Sequence, residues 1–235
     1  MTRIVTTLLL SISLIIAAAL IGKGISSIKQ PLRVVTVKGL AEQDVQANLA
    51  FWPISFTQTG NDLKQIQASI ASDKTILLAF LQQNGLNASD IDSQSSNVVD
   101  KQAQLYENNN NSAARYIVTA TIMVRTSKIN EVANAYQQSS QLLTEGINQS
   151  GQPSYLFTEL NQRKPAMIAA ATDNARQAAE QFANDSHSQL GNILQADQGY
   201  FEILPRDKVD FLQQEQQINK TLRVVVTLKY QLNSD

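Results

Sequence analysis

Three hydrophobic patterns follow one another along the chain. The first is unbroken. Residues Ile4 to Gly22 form a run of 19 without a charge. As a helix rising 1.5 Å per residue, this run would cover roughly 29 Å, about one hydrocarbon core. Arg3 and the amino terminus supply a positive flank that stays cytoplasmic. The run predicts either an uncleaved signal anchor or a signal peptide cut near Ala17-Ala18-Ala19. The anchor is the expectation, because the apolar stretch continues through Leu20 and Ile21. Residues 1–22 are therefore assigned to the anchor or signal, 23–31 to a linker ending at Pro31, and 32–235 to a periplasmic domain.

The second pattern alternates. Leu32 to Gly39 is rich in β-branched residues and predicts a strand that stops at the glycine. Val45 to Gln58 predicts a longer strand. Pro53 removes an amide donor from it, so a sheet edge or a bulge is expected there. Strands are also predicted near Asp92–Gln104, Arg115–Arg125, Ser154–Leu160, Asn192–Ile203 and Thr221–Leu232. Four consecutive asparagines within Tyr106–Ser112 mark a hairpin tip, and Gln213–Gln217 marks a polar connection.

The third pattern is helical. Leu63, Ile66, Ile70, Leu77 and Leu81 lie on one face of a helix opened by Gly60 and Asn61. It closes at Asn84-Gly85-Leu86, with Gly85 suited to the left-handed position. Lys128 to Leu143 predicts a second helix. Pro165 to Asp185 predicts a third, rich in alanine, with Pro165 in its first turn. Residues 46–125 and 152–232 then share one order: strand, helix, glycine and two antiparallel strands. That order predicts an α+β fold from two duplicated halves, with helices on one face of antiparallel sheets.

Composition narrows the chemistry. The first 29 residues hold Arg3, Lys23, Lys29 and no acid, which leaves the remainder near −4 and argues against nucleic acid as a partner. Cysteine is absent and His187 is the one histidine, so disulfides, thiolate nucleophiles and multi-histidine metal centres are excluded.

Individual candidates have bland alternatives. His187, within Asn184–Ser188, is either a general base beside serines or an imidazole at a helix C-terminus, and the latter is expected. Asp90 and Asp92 lack the remaining ligands and glycine of a calcium loop, so a solvated turn is expected. Glu42 and Asp44 are expected beside a hairpin turn, although they could pair as acid and base. Trp52 with Phe51 is either a binding platform or partly core. The alanine-rich helix packs either on another helix or on its own sheet, and the sheet is expected. Gly146–Gly151 is too short to cradle phosphate.

Val35-Thr36-Val37-Lys38-Gly39-Leu40-Ala41-Glu42, then Val45, Ala47, Leu49-Ala50 and Trp52-Pro53-Ile54, resemble the start of the SIMPL-domain family. The alanine-rich helix and Leu190-Gly191-Asn192-Ile193-Leu194 resemble its later part. The resemblance implies a bacterial, exported protein of unassigned biochemical role. Some members are described as periplasmic immunogenic or oxidative-stress defence proteins, and some as ring- or channel-like oligomers. It supplies no catalytic residue. The expectation is a single-pass inner-membrane protein with its domain in the periplasm. It would act by assembly or binding, as a homo-oligomer attached to the membrane through its N-terminal helix. No catalytic, cofactor or metal residue is assigned. The alternatives are an exported enzyme with a carboxylate site, such as Glu42 with Asp44 or Glu159, and a monomeric tethered scaffold.

Overall fold

Nine strands form two antiparallel sheets in the computed structural model, which describes residues 13–22, 32–103, 114–207 and 213–234. The strands are β1 (Val34–Gln46), β2 (Leu49–Gly60), β3 (Ile91–Asp100), β4 (Tyr116–Thr126), β5 (Gln149–Ser150), β6 (Ser154–Leu156), β7 (Ser188–Gln198), β8 (Glu202–Pro205) and β9 (Asn219–Ser234). The helices are α1 (13–22), α2 (Leu63–Gln83), α3 (Ile129–Gln138), α4 (Gln141–Thr144) and α5 (Leu160–Asp185). The asparagine-rich tip lies outside the described residues, as do residues 4–12 of the apolar run. The ten residues of α1 are exposed and cover about 15 Å. Among the described residues no helix is long and apolar enough to cross a membrane, so the expected span over Ile4–Gly22 is not supported at that length.

One sheet runs β3-β4-β2-β5, with β6 also on β2. The other runs β1-β9-β7, with β8 also on β9. β4 lies between β2 and β3 in the first, and β9 between β1 and β7 in the second. The strand preceding α5 in sequence, β6, pairs with β2 instead. The chain divides into two compact units, one of Met1–Leu40, Ala171–Gly199 and Val225–Asp235, the other of Ala41–Ala170 and Tyr200–Val224.

In the larger unit, β2 and β4 pair from Ala50↔Thr126 to Gly60↔Tyr116. Alternation sends Ala50, Trp52, Ile54 and Phe56 inward with Val118, Ala120, Ile122 and Val124, while Ser55–Thr121 and Thr57–Thr119 hydroxyl pairs line the other face. Ile66, Ile70, Leu77 and Leu81 of α2 complete this core. Asp62, not Gly60 or Asn61, caps α2, accepting from the Lys64 and Gln65 amides. At the other end Gly85 has φ of 84°. Its N–H reaches Gln82 O and that of Leu86 reaches Leu81 O, which closes the helix and buries Leu86.

Pro53 is at neither an edge nor a bulge. It pairs with Met123, and its other side falls in the break between β5 and β6. Its carbonyl faces Gly151, whose φ is 110°. A residue's nitrogen and oxygen point the same way in a strand, so the missing donor falls where no partner strand runs.

In the smaller unit, Ala171, Ala175, Ala179 and Ala183 of α5 form a stripe four residues apart, and all are buried. Gly39 of β1 crosses it. A Cβ there would overlap the Ala171 carbonyl and come within 2.7 Å of the Ala175 Cβ. The Asn174 Oδ1 accepts from the Leu40 amide at 3.0 Å. Gly39 therefore does not stop β1, which continues to Gln46. Pro165 is the sixth residue of α5 rather than a first-turn residue, because the helix begins at Leu160.

Candidate functional site

The residues singled out from the sequence are dispersed. His187 is exposed just beyond α5, with φ of 51°, and its amide reaches Asn184 O at 3.1 Å. It fills the left-handed position that ends the helix. Glu42 and Asp44 project from β1, not from a turn. They meet β9 in register: Asp44 accepts from Thr221 Oγ1 at 2.6 Å, and Glu42 lies 3.7 Å from Arg223 Nε. Glu159 lines none of the clefts described below.

Asp90 differs from the solvated turn expected of it. The residue is 8% exposed and receives three hydrogen bonds, from Thr126 Oγ1 at 2.7 Å, Lys128 Nζ at 2.8 Å and the Asn87 amide at 2.8 Å. Burial alone would raise its pKa. The three donors and the Lys128 charge outweigh that and hold the carboxyl below its ordinary value. The cation at Asp90 is thus a lysine ammonium, while Asp92 is exposed. Among the described residues no group of three or more acids and histidines could hold a metal.

Trp52 is core and fully buried, whereas Phe51 is half-buried under the Arg125 guanidinium, 5.4 Å from its ring centre. Gly146 has φ of 82° and ends α4, with the Ile147 amide on Leu142 O, so Gly146–Gly151 is a helix stop leading into β5.

A cleft of about 530 Å³ lies in the larger unit between α3 and the segment from Gln152 to Tyr155. Tyr136 and Gln137 come from α3, Gln152, Pro153 and Tyr155 from one side, Gln216 and Ile218 from another, and no charged residue lines it. Each wall is fixed from behind. The Trp52 indole meets Tyr136 edge-on at 5.7 Å and donates to Gly151 O at 3.3 Å. Gln217 exchanges hydrogen bonds with the Asp207 backbone. Buried Lys220 donates to Gln214 O at 2.6 Å, and the Ala47 amide holds Ile218 O at 2.8 Å. Gln216 Nε2 donates to Gln152 Oε1 at 2.5 Å across the opening. Burial, and secondarily Tyr136, push the Tyr155 hydroxyl up from its ordinary pKa, so it stays protonated. Desolvation lowers the pKa of Lys220, against the pull of Glu215.

A second cleft of about 510 Å³ shares Ile218 and contains Lys128 and Glu131. A small one of about 240 Å³ holds Asp44 with Arg206. Neither brings together the acids proposed from the sequence. Gln152, Tyr155 and Gln216 were not visible as a site in the sequence, where they read as a strand and a polar connection. Their convergence depends on contacts across 64 positions.

The strand paths end at β3 and β5 in one sheet and at β1 and β7 in the other, and most residues of β3 and β7 are exposed on both faces. Ile193 and Leu194 of β7 are 44% and 43% exposed. Two register shifts in β7 irregularise its pairing with β9.

The family model named SIMPL, a protein of unknown function (DUF541), matches residues 35–230. No curated protein matches the chain.

Proposed function

Since this chain belongs to the SIMPL family, whose biochemical role is open, we propose that it works by assembly, strand edge to strand edge, in the cell envelope. The observation that carries the reading is the pair of open edges. β3 offers ten residues and β7 eleven, most of them exposed. An open edge presents unpaired N–H and C=O groups that another strand can satisfy. A β3 edge meeting the β7 edge of a second copy would be a heterologous contact, which closes into a ring when the rotation allows it.

The alanine-rich helix supports this choice by subtraction. Its small-residue stripe is buried within its own unit, which leaves the edges as the better candidates. Export is proposed from the charge-free run Ile4–Gly22 behind Arg3, with the domain facing the periplasm and the run retained as a tether. A role in envelope or oxidative-stress tolerance follows only from the family resemblance.

Absence of native cysteine makes the test direct. A Ser95→Cys, Ile193→Cys double variant is oxidised in intact cells. Disulfide-linked dimers and higher multiples are expected, and either single variant should give few. Monomer alone from the double variant contradicts the proposed pairing.

A further inference from the structure

We propose that the cleft between α3 and the Gln152–Tyr155 segment is a binding site for a neutral oligosaccharide. The proposal does not depend on the assembly reading, because the cleft lies within one unit and none of its lining residues belongs to β3 or β7.

Its volume, about 530 Å³, falls inside the range of about 300 to 1,000 Å³ usual for small-molecule sites. The lining decides the chemistry. No ionised side chain faces it, so a charged ligand would leave its charge uncompensated. What does face it is aromatic and carboxamide. Gln152 and Gln216 share one hydrogen bond, which leaves one amide N–H₂ and one amide oxygen free at the opening. A sugar's vicinal hydroxyls each donate and accept, and so complement such a donor and acceptor side by side. Tyr136 and Pro153 add apolar surface for the C–H face of a pyranose ring.

Tyr155 adds a hydroxyl to this lining. The residue is only 5% exposed, and its side chain lines the cleft. Its hydroxyl is not among the buried atoms left without a partner, so solvent reaches it. A ligand hydroxyl can take that water's place. A peptide fits less well, since its termini would bring charges that nothing in the lining meets.

The protein carries its own reporter. Trp52 is the one tryptophan, and its ring touches Tyr136. The full chain, kept in a detergent without a sugar headgroup, is titrated with the tetramers of N-acetylglucosamine, glucose and mannose while Trp52 fluorescence is followed. Tetra-alanine and a polygalacturonate oligomer serve as peptide and anionic probes. Saturable binding of at least one neutral tetramer is expected. Tyr155→Phe removes no internal hydrogen bond, so it should keep the thermal midpoint while weakening binding about fivefold. Gln152→Ala with Gln216→Ala should weaken it about tenfold or more. Glu145→Gln, in a different cleft, should change nothing. No saturable response to any neutral tetramer overturns the proposal. So does binding that survives both cleft variants, or binding only of the peptide or the anionic oligomer.

Discussion

At Asp90 a single carboxylate ties three segments together: the turn after α2 through Asn87, the end of β4 through Thr126, and the start of α3 through Lys128. Hydrogen bonds to a charged group contribute about 1.5 to 3 kcal/mol each when a partner is removed, and Lys128 is over a third exposed, which screens its share. Asp90→Asn is therefore expected to cost about 2 kcal/mol in urea unfolding at neutral pH. Because the folded pKa lies below 3.8, this stabilisation is fully present above that value. It is lost as pH falls through the lower folded value. The gap between the two proteins should narrow below 3.8, and a gap unchanged there would mean that shape rather than charge is at work. The sequence showed the aspartate but not its burial, because Lys128 and Thr126 lie 38 and 36 positions away. His187 was legible as a helix terminus. Its positive φ was not, since glycine usually fills that position.

Among the elements, α5 shows most plainly how composition and packing explain each other. Its alanines are small because β1 crosses them closely, and β1 can cross because residue 39 is glycine. Gly39→Ala would drive a methyl into helix backbone, which cannot rotate away as a side chain can. A loss of about 3 kcal/mol is expected, the upper end for overpacking. Gly60→Ala is the control. Its methyl would meet only the Ile66 side chain, at 3.3 Å, and should cost well under half as much. Equal thermal shifts for the two would refute the close crossing. The periodicity of α2 and its Gly85 stop were readable from the sequence because both are local. Gly39 read as a strand end because a close approach leaves the same signature as a stop.

Over the whole molecule, the α+β class and the antiparallel sheets followed from alternation and helical spacing. The partnership of β1 with β9 did not. Glu42 with Arg223, Asp44 with Thr221, and the Leu232 amide on Arg33 O join opposite ends of the chain, and no local pattern encodes such a distance. That pairing also leaves β7 at one edge, just as β4 pairing with β2 leaves β3 at another. The proposal of assembly rests on those two edges. Its most direct test is the protein mass of the full chain by light scattering, at concentrations well above micromolar, beside a Ser95→Lys, Ile193→Lys variant. A lysine on an edge strand disfavours pairing with another chain. The account predicts a wild-type mass several times 25.8 kDa and a fall towards 25.8 kDa in the variant. A wild-type protein that remains a single species at 25.8 kDa, or a variant with the undiminished wild-type mass, would contradict it.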